Sequence, residues 1–247
     1  MTTLTWSHLH PGKEEDPLLP EIESDGMEEE GIPPIESRLR HNILRMPKEI
    51  EQASGIVVYG RRIRSLVYST DIAIIRNCDA DAVFCVYPFT AQRAISAAVI
   101  HAASVPVFCG VGGGTTQGTR AAYLAMDAEN QGAMGVVLNS PIPNRDLRLV
   151  ARVLDIPIVI TVTSENTDIK KRIDSGATII NVAGGAKTTE IVAKIRCEFP
   201  RVPIIASGGR SGEAITATIN AGANAIVYTP PSSGELFRSL MDDYRAR

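Results

Sequence analysis

Short apolar runs recur along this chain at a nearly constant spacing. SVPVF begins at Ser104, DIPIV at Asp155 and RVPII at Arg201, and their prolines, Pro106, Pro157 and Pro203, stand 51 and 46 residues apart. Proline is tolerated at the first residue of a strand, where its missing N–H breaks no ladder bond. A second run alternates with the first: DADAVFCV from Asp79, GAMGVVLN from Gly132, GATIINVA from Gly176 and GANAIVYT from Gly222. These align on Ala80, Ala133, Ala177 and Ala223, with gaps of 53, 44 and 46. Each marks a junction where a helix ends and a short strand begins. The strands are continuously apolar, as expected where both faces of a sheet are covered.

Helical spacing fills the intervals, predicting helices over 91–103, 117–131, 144–154, 167–175, 187–198, 211–221 and 234–245. With GIVVYG at Gly55 as the opening strand, the count reaches eight strands. A strand–helix–strand–helix unit repeated about every 45 to 50 residues is an internal repeat, and eight such strands predict an α/β fold, the (β/α)8 TIM barrel. An open doubly wound sheet is the rival; near-fourfold repetition and the length of the chain favour closure. The segment RRIRSLVYSTDIAIIRNC fits the scheme least well, since IAII suits either a strand or a helix.

Three regions follow from the pattern. Residues 1–34 are acidic, punctuated by proline and without periodicity, which predicts a flexible or loosely docked arm. Residues 35–54 carry Ile35, Leu39, Ile43 and Leu44 at helical spacing and predict a helix that Pro47 interrupts or restarts. Residues 55–247 are the expected barrel.

Composition excludes several classes. The chain has 247 residues, 44 % hydrophobic and 21 % charged, with a net charge of −3. That balance gives no basic field for nucleic acid or an anionic membrane. No apolar run reaches the roughly 18 residues of a membrane helix, and MTTLTWSHLHPGKEEDPLLP lacks an apolar signal core. Cys78, Cys85, Cys109 and Cys197 show no CxxC spacing, so reduced thiols and a cytoplasmic location are expected. No cluster has metal-ligand spacing, and no cofactor is expected. A homo-oligomer is left open.

In a barrel, chemistry sits at the C-terminal ends of the strands. The loops there read YGRRI, VYPFT, CGVGGGTTQ, NSPIPN, TVTSENTD, VAGGAKT, SGGRSGE and TPPSSGE. They are small and polar, and several are rich in glycine. Glycines such as Gly112, Gly113 and Gly114 permit positive φ and allow backbone N–H groups to converge on an anion; tight strand-to-helix turns explain them equally well. On the anion reading, Gly113→Val is expected to abolish ligand binding and leave the fold intact. Among charged groups, Glu165 is a candidate general base or a helix-start residue. Lys187 follows the sixth strand and opens a helix, several residues beyond the strand where Schiff-base barrels carry their lysine. Arg61 is a candidate partner for an anion or a solvated loop arginine. Cys109, beside the glycines, is a candidate nucleophile for a hydrolase, or a buried strand cysteine. Parity places Asn139, Asn181, Thr229, Thr161, Thr163 and Ser207 on one facing of their strands. If that facing is inward, they form a neutral ring of amides and hydroxyls.

The stretch PIIASGGRSGEAITATINAGANAIVY resembles the seventh strand, helix and eighth strand of phosphate-binding (β/α)8 barrels such as ribulose-phosphate epimerase, the tryptophan synthase α subunit and thiazole synthase. VFCGVGGGTTQGTRAAYLAMDAENQGAMGVVLNS looks like a second copy of that pattern. The resemblance implies a phosphate held by Ser207, Gly208, Gly209 and Gly212, joined by Ser232, Ser233 and Gly234. Pro230 and Pro231 depart from the pattern and remove two N–H donors there, which turns attention to the glycines after the third and sixth strands.

The sequence thus leads to a cytosolic metabolic enzyme acting on a small phosphorylated or otherwise anionic substrate by proton transfer or carbon–carbon cleavage, a lyase or isomerase. A non-catalytic ligand-binding or regulatory barrel stands beside it, because strand-end acids, bases and histidines are few. A hydrolase is the third reading.

Overall fold

The computed structural model describes residues 43–246. Eight parallel strands close into a barrel: β3 (Ser65–Tyr68), β4 (Ala82–Cys85), β5 (Val107–Gly112), β6 (Gly135–Leu138), β7 (Ile158–Val162), β8 (Ile179–Val182), β9 (Ile204–Ser207) and β10 (Ala225–Tyr228), with β10 returning to pair with β3. Helices alternate with them: α1 (Ile72–Arg76), α2 (Arg93–Ala102), α3 (Gly118–Asn130), α4 (Asn144–Ala151), α5 (Ile169–Asp174), α6 (Thr188–Glu198), α7 (Gly212–Asn220) and α8 (Ser233–Ala246). The predicted helices from α2 onward sit where the spacing placed them. IAII belongs to α1.

The proline signal has a direct cause. Each proline precedes its strand by one residue, and its carbonyl takes a bond from the neighbouring strand: Val83 N–H to Pro106, Val136 to Pro157, Ile180 to Pro203. The missing N–H falls just outside the ladder. The alanine junctions are buried turns, and Gly132, Gly176 and Gly222 just before them have φ of 95°, 109° and 111°, the left-handed conformation that ends a helix and favours glycine.

Two corrections concern the start of the barrel. GIVVYG is not its first strand. β1 (Ile56–Val58) and β2 (Arg61–Ile63) form an antiparallel hairpin turning at Tyr59–Gly60, whose φ values of 48° and 79° are both positive, as a two-residue turn of matching twist requires. The alternation of buried Ile56, exposed Val57 and buried Val58 is that of a half-buried ribbon. The true first strand is β3, held at its start by Asp81, whose carboxylate accepts from the N–H groups of Arg64 (2.7 Å) and Ser65 (3.0 Å). Of the helix expected over 35–54, the described part carries only a short 3-10 helix, Lys48–Gln52, which Pro47 starts. The arm at 1–34 lies outside the described residues.

The core has two compartments. Outward residues such as Val136, Ile160 and Ile180 pack against the helices, while Leu66, Phe84, Phe108, Val137, Val159 and Ile205 fill the barrel. The hairpin closes the barrel from below, because Ile56, Val58 and Ile63 pack on this inner cluster. Gly55 N–H donates to the carbonyl of Asn224, just ahead of β10, which fixes the hairpin at the N-terminal end (2.8 Å). Ile63 is 1 % exposed. Truncating it leaves a cavity under the barrel, so Ile63→Ala should lower stability by about 3 kcal/mol in urea unfolding.

Candidate active site at the barrel mouth

The inward residues follow from strand parity. Val159 and Ile179 belong to the inner cluster, so Thr161, two residues further along β7, and Asn181, two further along β8, face inward at the next level. Asn181 Nδ2 donates to Thr161 Oγ1 at 3.2 Å. Asn181 is 3 % exposed, and its Oδ1 has no partner. A buried carbonyl oxygen left unpaired costs about 1–3 kcal/mol, and it is an acceptor waiting for a donor. By the same parity Ser207 faces inward at the end of β9, while Asn139, Thr163 and Thr229 stand one residue past the ends of β6, β7 and β10.

On the loops beyond β7 and β8 the two charged candidates meet. Glu165 follows β7, Lys187 follows β8, and adjacent strands bring Lys187 Nζ to 3.6 Å from Glu165 Oε1. Their side chains are 65 % and 46 % exposed for the lysine and the glutamate, so the pair is solvated and contributes little to stability. Lys194 Nζ, on α6, donates to the Glu165 carbonyl at 2.8 Å and steadies that loop. Lys187 belongs to a 3-10 turn leading into α6, beyond the strand.

Close packing of the chain accounts for Gly112 and Gly113, at and just past the end of β5. Gly113 has a φ of 105°, and a Cβ there would lie 2.4 Å from the backbone N and O of Asn139. Its N–H donates to Thr116 O, and Asn139 N–H donates to Gly112 O, each at 2.9 Å. What approaches so closely is the backbone of the next strand's end. Gly118 N–H, at the start of α3, is taken by the buried carboxylate of Asp146 at 2.8 Å. Gly114 alone of the three faces open space.

The loops after β9 and β10 are also largely committed. Gly208 is buried because a Cβ would press on Ile226 at 3.0 Å, and Gly209 has a φ of 82°. Ser211 caps α7 through the N–H of Ala214. Ser232 gives both its N–H and its hydroxyl to Glu235 Oε2, each at 2.7 Å, a capping box that takes two of the donors the resemblance assigned to phosphate. These bonds hold the Glu235 carboxyl below the usual carboxylate range. The Ser233 hydroxyl donates to Asp71 and lowers that carboxyl likewise, tying α8 to the loop after β3.

Two candidates lie elsewhere. Arg61 is exposed on β2, in the hairpin at the opposite end of the barrel, because the strand assigned before it is not a barrel strand. Cys109 stands three residues after Pro106, an odd offset, and so faces the helices. It is fully buried beside Cys85 on β4, and the hydrogen bond between the thiols, then burial, push it far above the usual cysteine range. It cannot serve as a nucleophile at the mouth. A cleft of about 450 Å³ also opens at the N-terminal end, between Tyr59, Pro157, Pro203 and Arg196. The Arg196 guanidinium there is bonded to loop carbonyls, which leaves that cleft little chemistry.

Residues of the β3–β4 side escaped the sequence reading. Tyr68 ends β3 in register with Phe84, their rings 6.3 Å apart, and burial raises its phenol, keeping it protonated. Tyr87 and Phe89 lie on the loop after β4, which touches the glycine loop through the Thr90 and Thr115 hydroxyls at 3.3 Å. Placing the first strand at SLVY is the signal that would have found Tyr68.

No family model and no curated protein matches the chain. Solved structures do. A phosphonopyruvate hydrolase in complex with oxalate and magnesium is 12 % identical over 75 % of this chain and 80 % of its own, with a TM-score of 0.56. A 4-hydroxy-tetrahydrodipicolinate synthase from Methylacidiphilum fumariolicum SolV is 17 % identical over 67 % of each chain, with a TM-score of 0.53. A mandelate oxidase is 14 % identical over 72 % of this chain and 68 % of its own, with a TM-score of 0.59. What is shared is the barrel. Among the described residues no helix is long and apolar enough to cross a membrane, and all four cysteines are free thiols.

Proposed function

We propose that this barrel is a cytosolic metabolic enzyme that takes a small anionic or phosphorylated substrate at its mouth and acts by proton transfer or carbon–carbon cleavage. The observation that carries this reading is the Glu165–Lys187 pair on the loops after β7 and β8, the two strands that carry the buried Thr161–Asn181 pair, in which Asn181 Oδ1 is unpartnered. The Lys187 ammonium attracts the anion and steadies negative charge as it develops, while the Glu165 carboxylate takes the proton. Asn181 Oδ1 accepts a hydrogen bond from a substrate hydroxyl or amine and fixes its orientation. Enzyme names on similar structures, a hydrolase, a synthase and an oxidase, support catalysis in general and select no reaction class.

Binding of inorganic phosphate by calorimetry tests the site. Lys187→Ala should weaken it at least tenfold, about 1.4 kcal/mol, and Glu165→Gln should abolish solvent-deuterium exchange into a bound carbonyl compound while sparing binding. Equal phosphate affinity in wild type and Lys187→Ala would return the pair to an ordinary surface ion pair. A ligand-binding barrel without catalysis is the second reading, favoured by the neutral Thr161–Asn181 pair; binding without exchange or turnover would select it.

A further inference from the structure

The barrel mouth is two-sided, and we infer that the substrate is an amphiphilic anion carrying an aromatic or branched apolar group opposite its charge. This rests on the reading of the mouth given above and adds the substrate's other end. In the closed strand order, β3 lies across the barrel from β7, and β4 across from β8. On the β7–β8 side the inward residues turn polar toward the top: Thr161 and Asn181, then Glu165 and Lys187 on the loops. On the β3–β4 side they stay apolar to the rim. Leu66 leads to Tyr68 on β3, and Phe84 on β4 leads to Val86 just past that strand's end.

Exposure at the rim sharpens the contrast. Tyr68 is 36 % exposed, and Phe89, on the loop after β4, is 75 % exposed. A phenyl ring three-quarters in water beside a tyrosine about one-third exposed leaves apolar area that a ligand can cover with gain. A plain sugar phosphate or phosphate ion gives the polar side partners and the aromatic side nothing. A molecule with its anion toward Lys187 and its apolar group toward Tyr68 and Phe89 satisfies both walls, and a donor on its polar end meets Asn181 Oδ1.

Calorimetry with phenyl phosphate and inorganic phosphate decides the matter. The wild-type protein should bind phenyl phosphate at least tenfold more tightly than inorganic phosphate. That ratio should fall to threefold or less in Phe89→Ala, a surface change, or in Tyr68→Ser. A wild-type ratio near one overturns the inference, as does a ratio unchanged in both variants. If inorganic phosphate is held and Lys187→Ala weakens it, yet the phenyl group adds nothing, the anion site stands and only its amphiphilic partner falls. If the wild type holds neither ligand, the reading of the mouth as an anion site falls first.

Discussion

Gly113→Ala should lower the stability of the protein by about 3 kcal/mol, one of the largest effects expected of any single loop substitution. The methyl group would enter at 2.4 Å from both the N and the O of Asn139, and those are backbone atoms that no rotamer can move aside. The conformation adds its own cost, because a φ of 105° lies where L side chains are strained, worth about 1–3 kcal/mol. Relief requires the end of β6 to move, and Asn139 N–H is bonded to Gly112 O, so the strand junction opens with it. Gly114→Ala is the control: nothing lies within 4 Å of its Cβ position, and its effect should stay within about 0.5 kcal/mol. Urea midpoints of the two variants measure the difference. The outcome also separates two roles of the glycine loop. A bulky residue at 113 is not a clean probe of ligand binding, contrary to what the sequence suggests, because it damages the fold before any ligand arrives.

Arg196→Met should cost a similar amount, for a different reason. This arginine on α6 donates to the carbonyls of Pro200 (2.8 Å), Val202 (2.9 Å) and Gly222 (2.9 Å) and to Asn224 Oδ1 (2.7 Å). It staples the loop before β9 to the loop before β10. Asn224 then passes the connection on, accepting from Ile204 N–H and donating to Ser54 Oγ, each at 2.9 Å. Methionine keeps the stem's bulk and removes every donor; Asn224 Oδ1 keeps Ile204 N–H and the exposed Pro200 carbonyl turns to water, but the half-buried carbonyls of Val202 and Gly222 lose their side-chain partner, at a cost of about 2–3 kcal/mol. Lysine should not rescue it, because a point ammonium cannot span acceptors that a flat guanidinium fork reaches together. Hydrogen exchange adds a local readout: Gly55 N–H, bonded to Asn224 O, should lose protection in Arg196→Met. Full protection with unchanged stability would show that the network is ornamental.

The barrel was legible because its signals are local and repeated. A proline one residue ahead of a strand and a glycine–alanine turn after a helix are short-range constraints, and the chain states each of them several times. Parity was legible for the same reason: side chains alternate with period two, so an offset from Pro157 or Ala177 was enough to put Thr161 and Asn181 on one facing. The first strand was not legible. GIVVYG and SLVY are both short apolar runs, and the turn between β1 and β2 begins at Tyr59, a residue that seldom adopts positive φ, in place of the asparagine or glycine that announces such turns. That one misplacement moved Arg61 to the wrong end of the barrel and hid Tyr68. The glycines were legible as a demand for space but not as to what fills it, since the neighbour is Asn139, 26 positions beyond Gly113. Glu165 and Lys187 were found singly. Their pairing required knowing that β7 and β8 are neighbours.

The hairpin beneath the barrel bears on kinetics as well as stability. With Ile56, Val58 and Ile63 seated in its floor and the inner cluster packed above them, the barrel can be approached along its axis from the mouth alone. A ligand held there as proposed would arrive and leave by the same route. An obstruction at such a rim that touches neither the free nor the bound state slows arrival and departure by the same factor and leaves the equilibrium constant where it was. Affinity is then written in the walls, and residence time in the door.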